Sequence, residues 1–126
     1  MAKMILVDDS KFILGITRTF LEETGHEVVG TAQDGVEGVE LYKKTRPDLV
    51  LLDLTMPNQD GSDCLDQILT FDPKAKVLIV SAIREQQRIS ECLSRGARDI
   101  IYKPLKFRDD RFKDDFKAKL EDALAA

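Results

Sequence analysis

The sequence predicts an α/β fold, a doubly wound five-stranded parallel sheet in the order 2-1-3-4-5 with five flanking helices. Two features predict it. Five short, near-continuous apolar runs recur along the 126 residues, and each following stretch carries apolar residues at helical spacing. Unbroken aliphatic runs fit strands covered on both faces, as in a parallel sheet between helical layers. Strict alternation with right-handed crossovers leaves few topologies, and this order is the commonest at this length. A closed eight-stranded barrel needs about twice the chain.

The first run, Met4 to Val7, leads into a helix marked by Ile13, Ile16, Phe20 and Leu21 that ends near Gly25. The second, Val28 to Ala32, is softened by Gly30 and Thr31; Val36 and Val39 mark the helix after it, stopped before Pro47. Leu49 to Leu52 is the third strand, followed by the stripe Cys64, Leu65, Ile68 and Leu69. Val77 to Val80 is the fourth, followed by Ile89, Cys92 and Leu93 and closed by Gly96. Ile100 to Tyr102 is the fifth; Phe112, Phe116, Leu120 and Leu124 then step by four, with Asp109 or Asp110 as the cap. The βα repetition is architectural rather than a sequence repeat, and without a linker residues 1–126 read as one domain.

An apolar share of 43% is enough for a full core, while 33% charged residues of both signs and a net charge of -4 argue against a nucleic-acid-binding surface. No apolar run approaches the roughly 20 residues of a membrane span. The expected protein is soluble, uncleaved and cytoplasmic. Cys64 and Cys92 lie far apart without metal-ligand spacing and read as buried thiols, with a disulfide or redox role as the minor alternative. His26 precedes the second strand and reads as a surface residue away from any site.

In an open sheet of this order, ligands bind beyond the carboxyl ends of the strands, where strands one and three part. Asp8 and Asp9 follow the first strand and Asp53 follows the third. Alone, each is an ordinary turn or cap residue. Held some 4 Å apart, such carboxylates repel by about 4 kcal/mol per pair at an effective dielectric near 20, so they need a counterion or protonation. Oxygen ligands without nearby histidine or thiolate select a hard ion, and magnesium fits best. Ser81 and Lys103 end strands four and five on the same edge, adding a hydroxyl and an ammonium. This combination suits a phosphoryl group.

Asp8-Asp9, the run Asp53-Leu54-Thr55-Met56-Pro57 with Asp60-Gly61, then Ser81-Ala82 and Lys103-Pro104 together resemble the signature of response-regulator receiver domains, from residue 3 to about 124. The strand order is itself known for that flavodoxin-like family and adds no independent weight. The resemblance implies a phosphorylation-activated switch of two-component signalling rather than an enzyme acting on external substrates. Asp53 is the implied phosphoacceptor, its donor a sensor histidine kinase, a phosphotransfer protein or a small phosphodonor. Asp9, Asp53 and the backbone carbonyl of Thr55 are the implied Mg²⁺ ligands, with Asp8 acting mainly through water. Lys103 and Ser81 are implied to contact phosphoryl oxygens, Tyr102 to be the switching aromatic, and the bond before Pro104 to be cis. The implied readout surface for a downstream target is helix four, strand five and helix five, with no direct role for nucleic acid or membrane.

Some positions depart from the family pattern. Ile83 stands where polar residues are frequent and is read here as a shield for the acyl phosphate. Leu105 replaces a common phenylalanine, and Lys106 to Arg111 is a long, charged link, so the last helix is expected to start late or shift. Rival readings fit less well. A flavin carrier of this architecture cradles phosphate in a Ser/Thr/Gly loop after strand one, where this chain has Asp8-Asp9-Ser10-Lys11. A phosphatase of the haloacid dehalogenase type needs a second aspartate two positions after the nucleophile, where Thr55 stands. A Walker-type nucleotide site needs a Gly-rich run ending in Lys-Ser or Lys-Thr, which the sequence lacks.

Overall fold

The computed structural model describes residues 1–56 and 61–125. Five parallel strands, β1 (Lys3–Val7), β2 (Glu27–Ala32), β3 (Leu49–Leu52), β4 (Val77–Ser81) and β5 (Asp99–Tyr102), form one sheet in the order β2-β1-β3-β4-β5. Between and after them run α1 (Lys11–Glu23), α2 (Gly35–Thr45), α3 (Gly61–Phe71), α4 (Gln86–Arg95) and α5 (Asp110–Leu124). The expected flavodoxin-like order and helix count are those observed.

Side-chain alternation along the strands sorts the core into two layers. Ile5, Val7, Val50, Leu52, Val77, Ile79 and Ile100 face α2, α3 and α4, packing on Val39, Tyr42, Cys64, Leu65, Ile68, Ile89 and Cys92. Met4, Leu6, Leu49, Leu51, Leu78, Val80 and Ile101 face α1 and α5, packing on Leu14, Phe20, Leu21, Phe116 and Leu120. Truncating one such fully buried aromatic or aliphatic side chain typically costs about 2–5 kcal/mol. Among the described residues no helix is long and apolar enough to cross a membrane.

The helix ends follow local chemistry. Ser10 caps α1 by accepting from the Ile13 amide at 3.2 Å, and Asp34 caps α2 by accepting from the Glu37 amide at 2.8 Å. Gly96, at φ 129°, closes α4 where a β-carbon would be strained. Of the two candidate caps for α5, Asp109 is the one used, accepting from the Arg111 and Phe112 amides.

Two core faces differ from expectation. In α1 the buried positions are Leu14, Thr17, Phe20 and Leu21, whereas Ile13 and Ile16 are only half-buried. In α2, Val36 is 58% exposed, and the contact face is Gly35, Gly38, Val39 and Tyr42. Glycine at 38 lets α2 approach β1 so closely that a β-carbon there would meet Val7 at 3.0 Å.

The charged link before α5 is anchored rather than loose. Phe107 stacks on Phe20 with centroids 4.6 Å apart and lies 5.4 Å from Phe116, so α5 begins at Asp110 after an aromatic staple. Leu105 packs against the same layer. Cys64 and Cys92 are buried free thiols, and burial pushes the Cys64 thiol up to about 12. His26 is half-buried rather than a plain surface residue: its Nδ1 accepts from the Ala2 amide at 3.2 Å and ties down the start of the chain.

Candidate functional site

The strand ladders continue beyond the ends of β1 and β3 and fix the first two carboxylates as neighbours. The Asp8 amide donates to the Ala32 carbonyl at 3.0 Å and the Asp53 amide to the Val7 carbonyl at 2.9 Å. Alternation then assigns sides. Asp8, Asp53 and Lys103 each follow by two residues a side chain of the α1/α5 layer, namely Leu6, Leu51 and Ile101. Ser81 and Tyr102 follow Ile79 and Ile100 of the other layer and are register partners across β4 and β5.

On the first side the groups meet. Lys103 Nζ lies 2.8 Å from Asp8 Oδ2 and 3.5 Å from Asp53 Oδ2. The other Asp8 oxygen accepts from the Ser10 amide at 2.9 Å, and Asp53 Oδ1 accepts from the Thr55 amide at 3.3 Å. Asp8, Asp9 and Asp53 each offer a carboxylate oxygen within 4.8 Å of the others; Asp8 and Asp53 are 4% exposed, while Asp9 is open to solvent. Three carboxylates against one ammonium leave an excess of two negative charges. An all-oxygen donor set with that excess fits a hard divalent cation such as Mg²⁺.

Burial first, and the neighbouring Asp8 charge second, push the Asp53 carboxyl above its ordinary range; Lys103 and the Thr55 amide oppose that rise. The carboxylate is thus held where its charge is partly uncompensated, a disposition suited to binding a cation or reacting with an electrophile.

On the second side Ser81 is fully buried; its Oγ accepts from the Ile83 amide at 3.2 Å and its carbonyl accepts from the Lys103 amide at 3.0 Å. Ile83 and Tyr102 pack against the α2-α3-α4 layer. The Lys103–Pro104 peptide bond is cis, as the resemblance implied. Pro57 and Asp60, two residues of the quoted signature, lie outside the described residues. Gly61 does not: a β-carbon on it would collide with the Asp53 carbonyl and sit 2.5 Å from Leu54 Cα, so the start of α3 lies directly against the chain that carries Asp53.

Three participants escaped the sequence reading. Ser10 holds Asp8 while capping α1, a role its place just before an apolar helical pattern could have signalled. Thr17 is 4% exposed, its Oγ1 has no hydrogen-bond partner among the described residues, and it lines a cavity of about 10 Å³ together with Asp8 and Asp53. Arg84 lies over the Tyr102 ring with its guanidinium carbon 4.4 Å from the centroid. No pattern in the sequence marks either of the last two.

Known proteins resemble this chain in sequence and in fold. The response regulator receiver domain family matches residues 4–111. A Bacillus subtilis protein, CcdB, is 47% identical over 104 residues, covering 82% of this chain and 87% of its own. The chemotaxis protein CheY of Listeria monocytogenes is 40% identical over 111 residues, covering 88% of this chain and 92% of its own. Among solved structures, a chain of the CheX-CheY complex with beryllium trifluoride and magnesium from Borrelia burgdorferi superposes with a TM-score of 0.90 at 32% identity, covering 98% of this chain and 90% of that one. The strand-tip carboxylates, the lysine facing them and these likenesses converge: the chain belongs to the response regulator receiver domain family, the signalling domain of two-component and chemotaxis systems.

Proposed function

We propose that Asp53 accepts a phosphoryl group with Mg²⁺ bound, from a histidine kinase, a phosphotransfer protein or a small phosphodonor in the cytoplasm. The observation that carries this reading is the contact of Lys103 with both Asp8 and Asp53 beside three gathered carboxylates. One Asp53 oxygen attacks phosphorus in line; the bond to the donor atom breaks, and the donor leaves with that electron pair. The product is a mixed anhydride of Asp53.

Asp9, Asp53 and the Thr55 carbonyl would hold magnesium, with Asp8 acting through water, and the bound ion would supply positive charge against the carboxylates and the phosphoryl oxygens. Lys103 is tethered by Asp8 within reach of Asp53, and its ammonium pairs with a second phosphoryl oxygen. The Ser81 Oγ already accepts from the Ile83 amide, which leaves its proton to donate to a third. Drawing Ser81 inward carries the loop after β4 with it, and Tyr102, its partner across β5, follows. The change reaches a downstream target through the face made by α4, β5 and α5. A ligand can shift such an equilibrium only by its differential affinity for the two arrangements, a few kcal/mol for a useful switch. The protein thus assists its own phosphorylation and dephosphorylation without turning over an external phosphoester.

Incubation with acetyl phosphate and magnesium followed by intact mass tests the reading. The parent is expected to gain one phosphoryl group and Asp53→Ala none; equal gains, or no gain in either, reject it.

A further inference from the structure

The segment between β4 and α4 carries an interaction that the roles above leave unused. The Arg84 guanidinium covers the Tyr102 ring at 4.4 Å from its centroid, and its Nη2 donates to the Lys103 carbonyl at 3.1 Å. A single side chain thus grips two consecutive residues at the end of β5. Arg84 itself is rooted three positions after Ser81, in a turn where the Ile83 amide donates to the Ser81 hydroxyl. Tyr102 is half-buried against the α2-α3-α4 layer and gains from Arg84 a planar cationic cover. Ser81 and Tyr102 are bound as register partners through the backbone, so the Arg84 contact is a second, adjustable link between the same two places.

We infer that Arg84 is a positioning residue, a clasp that fixes the loop after β4 against Tyr102 and Lys103 and thereby sets how readily Ser81 can move toward Asp53. The inference rests on the phosphoacceptor reading above. Displacing Ser81 drags Ile83 and Arg84 with it, because they belong to one hydrogen-bonded turn. Arg84 must then slide along the Tyr102 ring and surrender its bond to the Lys103 carbonyl, or Tyr102 must turn with it. Either way the clasp opposes the motion, and its removal makes the motion easier. Arg84 is exposed, so replacing it leaves the core untouched. The planar guanidinium provides both contacts at once; lysine keeps a cation for the ring but loses the fork, and methionine keeps a similar stem without charge.

The chain has two tyrosines, Tyr42 and Tyr102, so protein labelled with 3-fluorotyrosine gives two fluorine resonances, and that of Tyr102 is identified by its loss in Tyr102→Phe. Arg84→Met is expected to move the Tyr102 resonance and leave that of Tyr42 in place, with Arg84→Lys in between. In the same preparations, uptake of phosphoryl groups from acetyl phosphate, followed by intact mass, should be roughly twofold to fivefold faster in Arg84→Met than in the parent, matching a contact of ordinary cation–π strength. An unmoved Tyr102 resonance in Arg84→Met overturns the clasp, and so does an uptake rate equal to or below that of the parent. A parent that takes up nothing rejects the phosphoacceptor reading instead, and the Tyr102 resonance then still decides whether Arg84 holds the ring.

Discussion

Lys103 Nζ sits 2.8 Å from Asp8 Oδ2, closer than its 3.5 Å approach to Asp53, so the lysine is bound first to Asp8 rather than to the proposed phosphoacceptor. The geometry makes Asp8 a tether. It fixes the ammonium beside Asp53 without saturating Asp53, whose carboxyl stays raised by burial and by Asp8 itself.

Removing the tethered cation exposes its electrostatic role. Lys103→Met leaves the carboxylates of Asp8 and Asp53 buried without their ammonium, and breaking one partner of a largely buried pair commonly costs about 3–5 kcal/mol. With the lysine side chain 17% exposed, a loss of roughly 1–3 kcal/mol is expected after allowance for solvent screening. Magnesium should recover part of it by binding only the folded chain. Urea unfolding of parent and variant, with and without magnesium, checks both statements; a variant as stable as the parent in metal-free buffer contradicts them.

Asp53 itself should oppose folding when ionised. Its carboxyl is raised in the folded chain, so the charged form is the one the fold disfavours. Below the unfolded-state value both states hold the proton and no penalty exists; it grows as pH rises through that value and is complete above the folded-state one. Asp53→Asn is therefore expected to stabilise the metal-free protein at neutral pH by about 0.5–2 kcal/mol, a common gain when a functional site is relieved. The gain should shrink in acid. Denaturation series at several pH values read this directly, and a gain that grows toward low pH has the wrong sign.

Gly61 is expected to be intolerant for a local reason. A methyl group there meets the Asp53 carbonyl and Leu54 Cα, both main-chain atoms that cannot rotate aside. Gly61→Ala should cost about 1–3 kcal/mol as overpacking and slow phosphoryl uptake by displacing Asp53. Measuring stability and uptake rate together checks it, since a purely surface glycine would move neither.

The five strands were legible to within one residue at either end because, buried on both faces, they are written as continuous aliphatic runs. The ends of those runs are what put Asp8, Asp53, Ser81 and Lys103 on one edge of the sheet. Helix phase was harder. Phe12, Ile13 and Leu14 are consecutive apolar residues, so spacing fixes a period but not which of them turns inward, and Leu14 does. Val36 looked like a core residue because nothing in the sequence says that Gly38 brings the α2 backbone close enough to fill that space. The Lys103–Asp8 pair and the Arg84–Tyr102 contact join residues far apart in the chain or lying in a loop, and such pairings leave no periodic trace.

Thr17 pairs burial with an unmet hydroxyl. Among the described residues its Oγ1 has no hydrogen-bond partner, and leaving a buried donor unsatisfied costs about 1–3 kcal/mol. Valine has nearly the same shape and no such debt. Thr17→Val should raise stability by roughly 1 kcal/mol, read as a higher urea midpoint at unchanged slope. A lower midpoint would instead mean that the hydroxyl is served by water in the small cavity it shares with Asp8 and Asp53.

Ile83 carries the last expectation, that an apolar side chain beside Ser81 lengthens the life of an acyl phosphate on Asp53. The amide of Ile83 is bound to the Ser81 hydroxyl, so its backbone cannot drift from the site, and its half-buried side chain packs against the layer that also receives Tyr102. Hydrolysis requires a water to reach phosphorus, and a carboxylate at this position would both attract that water and accept its proton. Ile83→Glu is therefore expected to shorten the lifetime of the phosphorylated protein several-fold, Ile83→Gln to shorten it less, and Ile83→Leu to leave it nearly unchanged. Decay of the phosphorylated mass with time after removal of acetyl phosphate measures all three. An Ile83→Glu lifetime equal to or longer than that of the parent would show that water reaches the anhydride by a path this side chain does not guard.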